Sequence, residues 1–274
     1  MIALVTDSTS DLPPDLAAKH HIRVVPTHLI VGEKAYEDGT GFTREEFYTR
    51  LPTMSPPPTT AAPSSGTFEQ VYTELFAQGA DRILSIHAAS SLTAICAAAR
   101  MAAEPYEDRV HVLDSTSLTM GLGFQVLAAA EAVQQGASLS ETLHVIENTR
   151  TQVRVIAMLD TLEYLRRSGR VSHLRAALGE VLRLRLFVDV RDGQVIPLER
   201  IRTRGKAIER LGEILESFGP VERFAMLHTN AEADARKFIA RYRPNAQMLI
   251  NVTPVIGTHV GPNGLGFAVV QYPQ

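Results

Sequence analysis

The chain has 274 residues, of which 45% are hydrophobic, and its 27 basic and 30 acidic side chains leave a net charge of −3. This length and composition are typical of one large or two ordinary globular domains and exclude an intrinsically disordered chain. The near-neutral charge and the 6% aromatic content without Trp argue against a nucleic acid partner, and the single cysteine, Cys96, excludes an intrachain disulfide.

In the first half of the chain, short β-type runs alternate with helical patterns. The runs at residues 2–6, 82–86 and 110–113 predict buried strands, and each is followed by a segment rich in Ser and Thr and then by a helix. Strand–loop–helix units in series favour a parallel sheet with helices on both faces. We therefore predict an α/β domain over residues 1–150.

The region between the first two of these strands carries different signals. Residues 29–36 have the pattern of a hairpin, and Thr43 and Thr67 each precede a Glu or Gln by three residues, the spacing of a capping box. Helices are therefore predicted to begin at Thr43 and Thr67. The proline-rich residues 52–63 suit neither a helix nor a central strand and are predicted to form an extended surface loop.

The second half of the chain mixes the two patterns in another order. Ser138 is predicted to cap a helix, and Asp192-Gly193 is a strong hairpin signal. The other predicted elements are strands at residues 155–158, 185–190, 194–198, 224–228 and 265–271 and helices at residues 206–218 and 231–242. Together they predict a mixed α/β domain over residues 151–274.

No segment has the pattern of a signal peptide or a membrane span. The apolar run at the N-terminus has no basic residues before it and stops at Asp7. The longest apolar stretch, residues 126–133, contains Glu131 and is far shorter than the ~20 residues that a span needs. We expect a cytoplasmic protein without stable membrane insertion and, in the absence of a coiled-coil pattern or an apolar stripe, a monomer.

Hydroxyl side chains are concentrated where the three predicted strands end, at residues 6–10, 90–93 and 114–117. In an open parallel sheet, ligands bind outside the carboxyl ends of the strands, where the N–H groups of helix N-termini suit an anionic oxygen. Ser, Thr and Asp are also the preferred N-caps of helices, which accounts for any one cluster by itself. Three clusters on one edge favour a binding site.

Motifs of known enzyme classes are mostly absent. The chain has no G-x-S-x-G elbow, no P-loop and no H-E-x-x-H motif, so we expect no catalytic residue, no metal site and no cofactor. Gly121-Leu122-Gly123 lacks the third glycine of a dinucleotide motif. A convergence of scattered Ser, His and Asp side chains remains open.

His259 and two arginines are further candidates for a site. His259 is predicted to lie in a Gly/Pro-rich loop just before the last strand, which can hold an imidazole at the rim of a pocket, although an incidental histidine in a turn fits equally well. Arg170 follows a basic helical run, and Arg202 belongs to an Arg-Thr-Arg segment. Solvated helix ends, a carboxylate clamp or a partner surface all account for these two arginines.

Nine segments spread over the whole chain together resemble the DegV family of bacterial fatty-acid-binding proteins. Their order and spacing, rather than any single motif, carry the resemblance. The segments are VTDSTSDL (5–12), TAAPS (60–64), ILSIH (83–87), SSLT (90–93), DS (114–115), GLG (121–123), YLRRSGRVS (164–172), RTR (202–204) and THVGP (258–262).

The resemblance implies two α/β domains with a lipid between them. It also implies a carrier that binds one long-chain fatty acid and presents the carboxylate to a separate ATP-dependent fatty acid kinase, which forms an acyl phosphate for phospholipid synthesis. The carboxylate contacts of the family fall on Thr60, Thr93 and His259, and Ser90 is expected to share or replace the role of Thr93. Arg170 and Arg202 are assigned to the headgroup or to the kinase surface, with the kinase surface favoured.

The chain departs from the family pattern beside two of these residues. Ala61 follows Thr60 where the family has Ser, and Ala94 and Ile95 follow Thr93 where the family has Gly and Thr. These changes put the geometry around Thr93 in question. Two other functions stay open: a serine-dependent acyl hydrolase or acyltransferase that uses His259, and a lipid-sensing module that docks a partner through its arginines.

Overall fold

The computed structural model describes residues 1–169, 184–246 and 248–272. Its strands are, in chain order, β1 (Ile2–Asp7), β2 (Ile22–Val25), β3 (His28–Val31), β4 (Lys34–Glu37), β5 (Thr59–Ala61), β6 (Arg82–His87), β7 (Val110–Asp114), β8 (Val153–Leu159), β9 (Arg185–Arg191), β10 (Gln194–Ile201), β11 (Val221–His228), β12 (Met248–Asn251) and β13 (Leu265–Gln271). Its α-helices are α1 (Pro14–Lys19), α2 (Arg44–Arg50), α3 (Ser65–Ala77), α4 (Ile95–Ala103), α5 (Met120–Gln134), α6 (Leu139–Gln152), α7 (Glu163–Ser168), α8 (Arg204–Ser217), α9 (Glu232–Tyr242) and α10 (Pro254–Val260).

The strands of the described residues form three sheets. Sheet A is parallel with the order β2-β1-β6-β7, and sheet B is antiparallel with the order β4-β3-β5. Sheet C is mixed, with the order β10-β9-β8-β13-β11-β12, and only β11 and β12 run parallel in it. The predicted combination of a helix-flanked parallel sheet with a mixed α/β half is therefore confirmed, as is the hairpin at Asp192-Gly193.

Helix α5 joins the two halves of the molecule through the core. It is apolar almost all round, as expected of a fully buried helix, and it contacts β1 and β6 on one side and β8 and β13 on the other. A Cβ at Gly121 would lie 2.5 Å from Cγ2 of Val155, so the glycine permits this close approach. Packing thus accounts for this glycine. The division predicted between residues 150 and 151 falls in the last turn of α6 and stays a prediction.

Helices α2 and α6 begin at capping boxes, as predicted. Ser138 accepts the backbone N–H of Glu141 at 3.3 Å, and the Glu141 carboxylate accepts the N–H of Ser138 at 2.8 Å. Ser138→Ala is expected to lower the free energy of unfolding by about 1 kcal/mol in urea denaturation. Ser140→Ala, an exposed position in the same first turn, is the matched control, and an equal loss in both variants would contradict the capping role.

Two local predictions between β4 and β6 need correction. The helix predicted to begin at Thr67 begins two residues earlier, because Ser64 is the N-cap and accepts the N–H of Thr67. The predicted loop over residues 52–63 contains β5, which pairs with β3 at the edge of sheet B. An edge strand tolerates prolines close to its ends, since one side of its backbone needs no partner, and β5 has no proline inside it.

Candidate functional site

An apolar cavity of about 230 Å³ lies between the loops at the carboxyl ends of sheet A and one face of sheet C. This volume is far above the ~10–15 Å³ that one water molecule requires. Both halves of the chain form its walls. The aliphatic lining residues include Leu92, Ile95, Leu118, Val155, Leu159, Val188, Val190, Leu227, Val252, Ile256 and Val260.

Two small residues on sheet C leave space in this cavity above the sheet. Ala157 on β8 and Gly266 on β13 are register partners on adjacent strands, and both line the cavity. Ala157 carries only a methyl group and Gly266 has no side chain, so neither residue extends far above the backbone of the sheet. The space over the middle of sheet C is therefore left for a ligand, because larger residues at this pair would fill it.

Thr60 and His259 lie together at the polar end of the cavity. Thr60 is on β5, His259 is in the last turn of α10, and Thr60 Oγ1 lies 3.0 Å from His259 Nε2. Both side chains are half-buried and line the cavity. The helical position of His259 differs from the predicted loop. The helix signals were present in the sequence: Thr253 as N-cap, Pro254 at the first position and Gly261 after the end.

The two other predicted hydroxyls, Thr93 and Ser90, lie in the loop between β6 and α4, and only Thr93 lines the cavity. Its backbone N–H donates to the Ala89 carbonyl at 3.2 Å. Ser90 is exposed, and its hydroxyl donates to the carboxylate of Asp114 at 2.5 Å. The structure thus brings Thr60, Thr93 and His259 to one cavity and directs Ser90 towards Asp114.

Of the two candidate arginines, only Arg202 belongs to the described residues, and it does not line the cavity. Arg202 is exposed after β10, and its carbonyl accepts a hydrogen bond from Nη1 of Arg185 at 2.6 Å. Arg170 lies outside the described residues. The assignment of both arginines to a headgroup or a partner surface stays a prediction.

A chain of buried hydrogen bonds has the residue types of a hydrolase triad but lies away from the cavity. His87 Nδ1 is 3.0 Å from the Asp7 carboxylate, and His87 Nε2 is 2.7 Å from the Ser85 hydroxyl. Ser85 is fully buried and also pairs with the Tyr72 hydroxyl at 2.8 Å. The Ser85 hydroxyl therefore has no open path to a substrate, and these contacts tie β1, β6 and α3 together.

Asp11 is a buried carboxylate that belongs to the VTDSTSDL segment at residues 5–12. It accepts the Thr119 hydroxyl at 2.7 Å and the backbone N–H of Thr253 at 2.8 Å, and Nη1 of Arg44 lies 3.1 Å away. Burial is the largest influence on this group and raises the pKa of Asp11 to about 6, against the opposing charge of Arg44. In the sequence, the signal for Asp11 is its position directly after the hydroxyl cluster at residues 6–10.

Gly261 ends α10 in a conformation that favours glycine, with φ of +79° and ψ of 176°. A Cβ there would overlap the ring of Tyr164. Gly261→Ala is therefore expected to lower the free energy of unfolding by roughly 2–4 kcal/mol, through backbone strain and displacement of the ring. Chemical denaturation measures this loss.

Gly79→Ala is the matched control for that substitution. Gly79 also has a positive φ, of +93°, but open space surrounds the position of its missing Cβ. Only the strain of about 1–2 kcal/mol is expected there. Equal losses in the two variants would show that the contact with Tyr164 contributes nothing.

The described residues give little support for a metal site, a membrane span or a nucleophilic thiol. Within residues 1–169, 184–246 and 248–272, no three His, Cys, Asp or Glu side chains are grouped so that they can hold a metal ion. None of the helices in these ranges is both long and apolar enough to cross a membrane. Burial raises the pKa of the Cys96 thiol to about 12, so this thiol is a poor nucleophile at neutral pH.

The fold and the site define an α/β protein with an internal apolar cavity that ends in a hydroxyl–imidazole pair. The family model described as "Uncharacterised protein, DegV family" matches residues 1–272. A DegV domain-containing protein of Streptomyces coelicolor is 34% identical over 98% of both chains, and Protein DegV of Bacillus subtilis is 33% identical over 97% of both. The chain belongs to the DegV family.

Solved structures of similar proteins carry the same fold. A DegV family protein from Thermus thermophilus, described by its fatty acid binding, has a TM-score of 0.89 and 31% identity over 98% of this chain and 99% of its own. DegV of Bacillus subtilis, described as a fatty acid binding protein, has a TM-score of 0.87 and 32% identity over the same shares of the two chains.

Proposed function

We propose that this protein binds one long-chain fatty acid without covalent attachment, with the acyl chain in the cavity and the carboxylate at Thr60, Thr93 and His259. The observation that carries the proposal is an apolar cavity that ends in the Thr60–His259 pair. The fatty acid binding ascribed to the relatives from Thermus thermophilus and Bacillus subtilis supports it. Binding of this kind requires neither a cofactor nor a metal.

The energetics of such a complex are favourable. Burial of about sixteen carbons contributes on the order of 12 kcal/mol before ordering costs, at ~0.8 kcal/mol per methylene. A buried carboxylate needs hydrogen bonds, and each bond to a charged group contributes about 1.5–3 kcal/mol. Two hydroxyls and an imidazole supply such bonds without a guanidinium fork, so the carboxylate stays transferable.

We further propose that the protein acts as a carrier, not as an enzyme, and presents this carboxylate to a separate ATP-dependent fatty acid kinase in the cytoplasm. The resemblance to the family supports this role, and the chain has no P-loop of its own. In this proposal the protein acts as a monomer, and Arg170 and Arg202 are assigned to contacts with the kinase. Incubation of the loaded protein with a fatty acid kinase and ATP should yield acyl phosphate, trapped as its hydroxamate, and no product without the kinase.

Native mass spectrometry of the purified protein, followed by denaturation and lipid extraction, tests the binding itself. We expect a one-to-one adduct that is released as an intact free fatty acid. A protein that is empty and takes up no added fatty acid would refute the proposal. A mass increment that survives denaturation would point instead to an acyl-enzyme formed on a serine.

A further inference from the structure

We propose that Asp11 is a positioning residue for the fatty acid site, because it anchors the start of α10 and thereby holds His259 against Thr60. This inference rests on the proposed fatty acid binding. Asp11 does not line the cavity. Its effect on the ligand is therefore indirect and passes through the helix.

The contacts of Asp11 join three parts of the chain that are distant in sequence. Asp11 ends the 3-10 helix after β1, Thr119 is the N-cap of α5, and Thr253 is the N-cap of α10. The Asp11 carboxylate accepts one hydrogen bond from the Thr119 hydroxyl and another from the backbone N–H of Thr253. The Thr253 hydroxyl is also held, because it donates to the Asp38 carboxylate at 2.6 Å. Helix α10 has only two turns, so a fixed Thr253 also restricts the backbone that carries His259 at the other end.

Backbone strain is concentrated at the same contact. Asp11 has φ of +54°, and its partner Thr119 has φ of +47°, which is rare for a β-branched residue. Strained residues of this kind persist where the surrounding structure holds them, and they cluster at binding sites. Thr119 lines the cavity, and its N–H donates to the carbonyl of Thr9, another lining residue, at 2.8 Å.

The charge of Asp11 is unfavourable for stability, which is the expected pattern for a residue kept for function. The charged groups that act on it within the described chain are Arg44 on α2 and Asp38 after β4, and the Tyr48 hydroxyl on α2 is neutral. Since its folded pKa of about 6 exceeds the ordinary 3.8, ionisation opposes folding. The stability that the protonated group contributes is full below pH 3.8 and is lost as the pH rises through about 6.

Asp11→Asn removes the charge and replaces one acceptor oxygen by an NH2 donor, so the side chain can no longer accept from both Thr119 and Thr253. We expect labelled palmitate to leave this variant about tenfold faster than the wild type at pH 7.5, in a chase with unlabelled palmitate. The melting temperature of the variant minus that of the wild type should be larger at pH 7.5 than at pH 4.5. Asp15→Asn, an exposed position on α1, is the control and should match the wild type in both measurements.

A double-mutant cycle separates positioning from general destabilisation. If Asp11 acts through His259, then Asp11→Asn should add little to the release rate once His259→Ala is present. Equal fold-changes in both backgrounds would overturn the inference. Should Asp11→Asn not fold, Arg44→Gln removes the partly exposed guanidinium that pairs with the Asp11 carboxylate at 3.1 Å and helps to hold it in place, and it should also speed release. A wild-type release rate in Arg44→Gln would overturn it too.

The outcomes distinguish this inference from the function on which it rests. A wild type that retains palmitate, with an Asp11→Asn variant that releases it at the same rate, overturns the positioning role alone. A wild type that retains no fatty acid overturns both.

Discussion

Replacement of His259 by alanine is expected to raise the dissociation constant for a long-chain fatty acid by about ten- to a hundredfold. A hydrogen bond to a charged group contributes about 1.5–3 kcal/mol, and 1.4 kcal/mol corresponds to a factor of ten. The imidazole also pairs with the Thr60 hydroxyl at 3.0 Å. Without the imidazole, this hydroxyl is free to turn away from the carboxylate, so a second hydrogen bond to the ligand is weakened. The acyl chain is still buried, so binding is weakened and not abolished.

Titration of the delipidated protein with palmitate measures this effect. His144→Ala, an exposed histidine on α6, is the matched control and should bind as the wild type does. Thr60→Ala is the second arm of the test, and the exposed neighbour Thr59 on the same strand provides its control. Unchanged affinity in both His259→Ala and Thr60→Ala would contradict the assigned carboxylate site.

Replacement of Ala157 by phenylalanine is expected to lower the affinity for long-chain acids by at least a hundredfold. Ala157 lies opposite Gly266 on sheet C, where two small residues leave room above the sheet. A phenyl ring in this space displaces several methylenes of the ligand, each of which contributes ~0.8 kcal/mol when buried. The affinity for short acids that do not reach the ring should fall much less.

The chain-length profile is the decisive measurement for this variant. Affinities for acids from octanoate to stearate should fall progressively relative to the wild type as the chain lengthens. Ala97→Phe, an exposed position on α4, controls for the added ring. A uniform loss at every length would instead indicate general damage to the fold, and an unchanged profile would place the acyl chain elsewhere.

Elements defined by neighbouring residues were predictable from the sequence. Three of the four strands of sheet A, at residues 2–6, 82–86 and 110–113, were predicted from patterns within a few positions, as were the hairpin at Asp192-Gly193 and the capping box at Ser138. Such patterns are local because periodicity, turn chemistry and caps depend on adjacent side chains. The hydroxyl clusters at the ends of these strands were visible for the same reason.

Elements whose stability depends on distant partners were harder to predict. β5 is a strand only because β3 offers it a free edge, and α10 was predicted as a loop although its capping signals were present. Ser90 and Thr93 have similar local surroundings in the sequence. The hydroxyl of Ser90 donates a hydrogen bond to the carboxylate of Asp114, and only Thr93 lines the cavity.

By itself the sequence determined the α/β class, the hydroxyl-rich strand ends and, through the family resemblance, Thr60, Thr93 and His259 as candidates. Tertiary structure alone decided that Thr60 and His259, 199 positions apart, form one pair, and that Asp11 holds a helix 242 positions away. Such contacts depend on how the sheets pack around α5. No local pattern encodes this packing, because it follows from the burial of apolar surface over the whole chain.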